Sequence, residues 1–138
     1  MSLSISGPLS TSEVAQPVGS YSQAWVVPSN CTLVFLAGQL AMNQDGSMID
    51  PACAIEEEVE LAVINVIRLA EASGGSKEDI CRIELIVACD FGLMPRIDAA
   101  YAKVFGKRFP PRVAYQVAGL ARKARVEVVG IVAIPDKK

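Results

Sequence analysis

Two charged side chains, Arg112 and Glu127, stand in otherwise apolar surroundings near the end of the chain. Arg112 follows Pro110 and Pro111. Proline holds its own φ near about −65° and pushes the residue before it toward extended geometry, so the arginine leaves a stiff corner that aims its side chain. Glu127 is the single charge in the strand-like run 126–134, whose two alternating faces are both apolar. An unpaired buried charge is costly, so the carboxylate of Glu127 needs a partner or a wet cavity.

A joint site of Arg112 and Glu127 is the sharpest hypothesis that these residues support. A plainer interpretation stays open beside it. In that interpretation Arg112 is a solvated residue after a proline corner, and Glu127 lies at the edge of a sheet. The secondary-structure elements that would position the two side chains decide between the joint site and the plainer interpretation.

Hydrophobic periodicity predicts strands and helices that alternate along the chain. The predicted elements are strands over 19–27 and 32–40 joined as a hairpin, a helix over 54–73, a strand over 80–89, a helix over 94–105, a strand that starts at 112 and a last strand over 126–134. This order favours an α+β domain in which two helices cover one face of a mixed sheet of five or six strands. Because the last strand is apolar on both sides, we expect the other face to be covered by further copies of the chain.

The remaining segments give the domain boundaries. Residues 1–18 are rich in Ser, Pro and Thr and have no period, which predicts an N-terminal arm before a single domain over 19–138.

Gly38 lies inside the second predicted strand, where a glycine indicates a bulge or a close approach of the backbone to another group.

Composition argues against several kinds of chemistry. The chain has 138 residues, 51% of them hydrophobic, and a formal net charge of −2, so its overall charge attracts neither nucleic acid nor an anionic membrane. Histidine is absent, which removes imidazole catalysis and argues against a zinc or iron site.

The four cysteines show no C-x-x-C spacing, and we find neither a signal peptide nor an apolar run long enough to span a membrane. We therefore expect reduced cysteines and a cytoplasmic location, while pairing of cysteines between subunits stays an open alternative.

Three consecutive glutamates, Glu56, Glu57 and Glu58, fall in the first turn of the first predicted helix. The helix dipole favours negative charge at that position. We interpret all three as a charged helix start rather than as an acid and base pair.

A set of short motifs, taken in order, resembles the reactive intermediate deaminase family, which also carries the labels L-PSP endoribonuclease and translation initiation inhibitor. The similarity runs from about Gly19 to Ile134. The motifs are Gly-Ser-Tyr-Ser-Gln at 19–23, Ala-Gly-Gln-Leu at 37–40, Asn65 with Glu71 and Ala72, Tyr101 with Phe105, Pro-x-Arg at 110–112 and Val-Glu-Val at 126–128.

The resemblance implies a chorismate-mutase-like α+β fold. It also implies a homotrimer with a central β-barrel and with pockets at the three subunit interfaces. The implied activity is hydrolysis of enamines and imines such as 2-aminoacrylate, which pyridoxal-phosphate enzymes produce, to 2-oxo acids and ammonia. The implied substrate is a small molecule with a carboxylate, and neither a metal nor an organic cofactor is needed.

The same resemblance assigns roles to residues of this chain. Arg112 would bind the substrate carboxylate, because a planar guanidinium donates two parallel hydrogen bonds to such a group. Glu127 would orient or deprotonate the attacking water, or protonate the enamine carbon, and Tyr21 would close the pocket across the interface. The other expected substrate-binding residues are Ala114, Ala37 and Gly38.

Several positions depart from the residues that are common in this family. Ala37 stands where serine is frequent, and Ala114 stands where cysteine is frequent. Asp98 replaces a common helix asparagine, Glu58 a common glutamine and Gln116 a frequent glutamate. We expect these departures to affect the choice of substrate more than the fold.

Two other functions stay open at this point. A module that binds a 2-oxo acid without turnover would keep the pocket and lose the chemistry. An RNA-directed activity would use a stretch with no acidic residue before Glu127 that contains Lys107, Arg108, Arg112, Arg122, Lys123 and Arg125. The net charge of −2, the absence of histidine and the scarcity of aromatic residues for base stacking argue against that activity.

Overall fold

A computed structural model describes residues 4–137 and contains two α-helices, three single-turn 3-10 helices and six strands. The strands are β1 (Gly7–Leu9), β2 (Ala24–Val26), β3 (Cys31–Phe35), β4 (Ile80–Val87), β5 (Arg112–Gln116) and β6 (Val126–Pro135). The α-helices are α1 (Ile55–Ala72) and α2 (Met94–Phe105). No helix within 4–137 is long and apolar enough to cross a membrane.

The main sheet is mixed, as predicted, and has four strands in the order β3-β6-β4-β5. β6 pairs antiparallel with both β3 and β4, whereas β4 and β5 are parallel. Parallel neighbours need a crossover connection, and α2 supplies it between β4 and β5. The predicted α+β class is confirmed, but the main sheet has four strands instead of the expected five or six, because β1 and β2 form a separate pair.

The hairpin predicted between the strands over 19–27 and 32–40 is wrong. β2 pairs with β1 in a two-stranded sheet, and β3 pairs with β6 along five residue pairs. Tertiary contacts of Trp25 explain the difference, because its indole Nε1 donates to the Ser6 hydroxyl at 3.0 Å and its ring lies 4.8 Å from the Arg108 guanidinium. The segment expected to be an arm therefore contributes a strand.

Both helices pack on one face of the main sheet, where their apolar stripes meet the alternate residues of the strands. Val59, Val63 and Val66 of α1 and Ile97 and Tyr101 of α2 are fully buried. The same core contains Ile80, Ile83, Leu85 and Val87 of β4 and Val126, Val128 and Val132 of β6. The predicted helical periodicity is thus confirmed at both helices.

The opposite face of the main sheet has no covering element in the described part of the chain. Leu33 and Phe35 of β3 and Val113 and Tyr115 of β5 are exposed apolar residues, and Phe35 is 72% exposed. Their strand positions alternate with those of the core, so they project to the side away from the helices. We call this surface the open face.

Glu58 does not behave as a solvated residue of a helix start. It is 3% exposed, and its carboxylate accepts hydrogen bonds from the Arg125 backbone at 2.7 Å, the Arg125 Nε at 2.7 Å and the Val126 backbone at 3.2 Å. Glu58 therefore ties α1 to the start of β6. Of the three glutamates, Glu57 is solvent-exposed, and Glu56 pairs with Arg96 at 2.8 Å.

Glu58→Ala is expected to lower the free energy of unfolding by about 3 kcal/mol, because it leaves the Arg125 Nε, the part-buried Arg125 backbone N–H and the buried Val126 backbone N–H without their acceptor. The exposed neighbour provides a matched control, and Glu57→Ala should change stability by less than about 0.5 kcal/mol. Urea unfolding at one protein concentration measures both. Equal effects of the two substitutions would contradict the structural role of Glu58.

Candidate active site

A cavity of about 520 Å³ opens between the N-terminal loop, the start of α2 and β5. Its wall contains Arg112, Tyr21 and Ala114, three of the residues expected to form the site. The rest of the wall is mostly apolar and consists of Val18, Gly19, Phe91, Met94 and Pro95, together with Asp98. Such a cavity, with few polar groups on apolar walls, is typical of a small-molecule site.

The proline corner sets the position of Arg112, as its sequence context predicted. Pro111 accepts a hydrogen bond from the Ile83 backbone at 3.1 Å, and Arg112 then pairs with Ile83 as the first residue of β5. Laterally paired residues point to the same face of a sheet, so the side chain of Arg112 lies on the helix side. This side chain is only 5% exposed.

Arg112 is held by a carboxylate and by two aromatic rings. Its Nη1 donates to Asp98 Oδ1 at 2.7 Å. Its guanidinium carbon lies 4.8 Å from the ring centre of Tyr101 and 5.5 Å from that of Tyr21. Cation–π contacts of this kind add to the ion pair and limit the orientations that the guanidinium can take.

Asp98 also anchors the loop that carries Tyr21. Asp98 Oδ1 accepts from the Ser20 backbone at 3.1 Å, and Oδ2 accepts from the Ser20 hydroxyl at 2.8 Å. Within the loop, the Tyr21 hydroxyl accepts from the Val18 backbone at 3.3 Å. Partial burial pushes the pKa of Asp98 up, but the hydrogen bonds from Arg112 and Ser20 outweigh that effect and hold the pKa below its ordinary value. Asp98 is therefore ionised at neutral pH.

Glu127 lies on the other side of the sheet, on the open face. It pairs with Ile86 of β4, and Ile86 pairs with Tyr115 of β5, so these three side chains share a row. The Glu127 carboxylate lies against Gly38, where an added Cβ would overlap Glu127 Oε1. The expected close approach at Gly38 is confirmed, and the group that approaches is the predicted site glutamate.

The expected site residues thus fall into two groups within one chain. Tyr21, Arg112 and Ala114 line the cavity. Gly38 lies against Glu127 with Ala37 as its chain neighbour, and β4 separates Glu127 from the strand of Arg112. The structure therefore does not bring Arg112 and Glu127 together inside a single chain.

Asp98 belongs to the first group, although the sequence suggested only that it departs from a common asparagine. Its spacing in the sequence could have indicated this role. Asp98 follows Met94 by four residues and precedes Tyr101 by three, which places its carboxylate on the inward face of α2. Within 4–137, no cluster of three or more His, Cys, Asp or Glu side chains has the arrangement of a metal site.

Comparison with known proteins decides the family. The profile of the family described as endoribonuclease L-PSP matches residues 11–134. The chain belongs to this family. The expected family resemblance is therefore confirmed, and the label endoribonuclease L-PSP names the family rather than a measured activity of this chain.

Individual members of the endoribonuclease L-PSP family match over most of their length. A protein of Dermatophagoides farinae named 2-iminobutanoate/2-iminopropanoate deaminase is 34% identical over 127 residues, which is 91% of this chain and 94% of that protein. A protein of Bos taurus with the same name is 29% identical over 123 residues, with 89% and 86% covered. The crystal structure of yeast Mmf1 superimposes with a TM-score of 0.69 at 28% identity, covering 96% of this chain and all of Mmf1.

The ion pair of Arg112 and Asp98 predicts a loss of stability in acid. A group with a lowered folded pKa stabilises the protein above its unfolded pKa, which is about 3.9 for aspartate, and this contribution disappears as the pH falls through the folded pKa. The free energy of unfolding of the wild type, relative to that of Asp98→Asn, should therefore be largest above about pH 4 and shrink below it. Urea unfolding followed by Trp25 fluorescence measures this difference, and a difference that does not change with pH would contradict the assignment.

Proposed function

We propose that this chain is a hydrolytic deaminase of reactive enamines and imines of the 2-aminoacrylate type, a hydrolase like the 2-iminobutanoate/2-iminopropanoate deaminases. The products are a 2-oxo acid and ammonia. The observation that carries the proposal is the guanidinium of Arg112, fixed in the wall of an otherwise largely apolar cavity. The names of the curated relatives supply the reaction class.

Arg112 binds the substrate carboxylate and so fixes the neighbouring C=N group. Its Nη1 is occupied by Asp98, and no other hydrogen bond from its guanidinium reaches a described residue, so its remaining N–H groups are free for a ligand. When Arg112 holds the carboxylate, the imine carbon is oriented toward the attacking water, which favours the reaction. Hydrolysis of a small imine needs mainly this placement, and no metal or organic cofactor takes part in the proposed reaction.

The water is activated by Glu127 of a neighbouring copy of the chain. Within one chain Glu127 projects from the open face, whereas Arg112 projects from the helix face. Two copies can join these groups if the open face of one reaches the cavity of the next. Glu127 then orients or deprotonates the water, which adds to the imine carbon before ammonia leaves, or protonates an enamine carbon to form the imine.

The proposed assembly is a homotrimer in which the sheets form a central β-barrel. Its support is the open face, where Leu33, Phe35, Val113 and Tyr115 expose apolar surface that an isolated soluble chain would normally cover. Closed rotational symmetry buries such a face in every copy and repeats one pocket at each interface. The four unpaired cysteines fit a reducing compartment, and we propose the cytoplasm.

An RNA-directed function has little support from the basic residues. Arg108 donates to the backbone of Ser6 and packs on Trp25. Arg112 is paired with Asp98, and Arg125 is paired with Glu58. Three of the six basic residues in the stretch before Glu127 therefore already have partners within the chain and are not free to bind RNA.

Arg112→Ala is expected to reduce the enzyme-dependent hydrolysis of 2-aminoacrylate by about tenfold to a hundredfold, because each lost charge-assisted hydrogen bond contributes about 1.5–3 kcal/mol. A pyridoxal-phosphate deaminating enzyme generates the substrate in situ, and formation of the 2-oxo acid is followed. Arg112→Lys keeps the charge beside Asp98 but loses the planar fork, so its rate should lie between those of the wild type and Arg112→Ala.

Arg96→Ala is the matched control. Arg96 lies in α2 near the cavity, but its exposed side chain pairs with Glu56, so its removal should leave the rate unchanged. If the wild type failed to accelerate hydrolysis yet bound a 2-oxo acid, the deaminase proposal would be wrong and the non-catalytic binding module would replace it.

A further inference from the structure

Asp98 is the second charged side chain in the wall of the cavity, and it shares that wall with Arg112. The two side chains form an ion pair at 2.7 Å, so their charges cancel. Every other lining residue within the described chain is uncharged. The cavity therefore offers one positive and one negative group side by side rather than a positive group alone.

The carboxylate of Asp98 retains acceptor capacity. Two oxygens provide about four lone-pair sites. Oδ1 accepts from Arg112 Nη1 and from the Ser20 backbone, whereas among residues 4–137 Oδ2 accepts only from the Ser20 hydroxyl. One site on Oδ2 is therefore open, and the side chain is 26% exposed.

Arg112 keeps donors on the same wall. Nη1 is bound to Asp98, and Nη2 lies beside Gly19, where an added Cβ would be 3.2 Å away. A glycine at this position leaves space next to the free donors of the guanidinium. A small ligand in this space meets N–H donors of Arg112 and, beside them, the open acceptor of Asp98.

We infer that Asp98 binds the protonated nitrogen of the substrate and makes the pocket selective for ligands that carry a carboxylate and a cationic nitrogen on the same carbon. The substrate class is a 2-imino acid in its iminium form, with the carboxylate on Arg112 and the nitrogen on Asp98. This inference rests on the proposed function, because it assigns the second half of the same substrate. Asp98 makes hydrogen bonds to the ligand and forms no covalent bond.

Selectivity of this kind separates substrate from product. The iminium nitrogen donates hydrogen bonds to Asp98, whereas the 2-oxo acid has a carbonyl oxygen in its place. That oxygen is an acceptor facing a carboxylate, an arrangement that repels the product. An asparagine at this position would remove the negative charge and allow its amide N–H to donate to the carbonyl oxygen.

Binding of stable probes tests the inference independently of turnover. L-2-aminobutanoate carries both charges and is not a deaminase substrate, and 2-oxobutanoate carries the carboxylate alone. Isothermal titration calorimetry should show that the wild type prefers the amino acid, and that Asp98→Asn shifts the ratio of the two dissociation constants by about tenfold or more toward the 2-oxo acid. L-2-hydroxybutanoate, with an uncharged hydroxyl, should bind the wild type about tenfold more weakly than the amino acid.

Ser20→Ala is the control for a purely structural effect. It removes one hydrogen bond to Asp98 but keeps the negative charge, so the ratio of dissociation constants should stay near that of the wild type. An unchanged ratio in Asp98→Asn, or equal affinity of the wild type for the three probes, would overturn the inference and leave the deaminase proposal standing on its rate assay. Failure of every probe to bind the wild type would also overturn the inference, and the deaminase proposal would still be decided by the rate of 2-aminoacrylate hydrolysis.

Discussion

The ion pair between Arg112 and Asp98 is the contact on which the rest of the candidate site depends. It joins β5 to α2, and through Ser20 it also fixes the loop that carries Tyr21. A buried guanidinium needs such a partner, because leaving it unpaired would cost several kcal/mol. The same contact limits recognition, since it uses one donor of Arg112 and places a carboxylate beside the remaining ones. Positioning and selectivity thus come from a single pair of side chains.

The alternation of side chains along a strand is the second constraint. Arg112 lies in the row of Ile83, which faces the helices, and Glu127 lies in the row of Ile86, which faces away from them. No change of rotamer moves either side chain through the sheet. If the two groups act on one substrate, they come from different copies, and the apolar open face supplies the surface that brings the copies together. In that case hydrolysis requires that the copies assemble.

Sequence patterns correctly predicted the features that depend on local backbone geometry, such as helix positions and proline corners. The apolar period located α2 from Met94 to Phe105, and the proline corner identified Arg112 as a positioned side chain. Long-range partners were not predictable in this way. The hairpin was wrong because Trp25 finds its contacts at Ser6 and Arg108, far away in sequence. The ion pairs of Glu58 with Arg125 and of Asp98 with Arg112 depend in the same way on tertiary packing, which periodicity does not encode.

The proposed action of Arg112 and Glu127 from different chains can be tested directly with mixed assemblies. Arg112→Ala and Glu127→Gln alone should each hydrolyse 2-aminoacrylate about tenfold to a hundredfold more slowly than the wild type. When the two variants are mixed, every mixed trimer regains one intact interface, so an equal mixture should recover about a quarter of the wild-type rate. Native mass spectrometry should find three chains of 14.7 kDa in each particle. Mixed trimers that remain inactive would contradict the shared pocket.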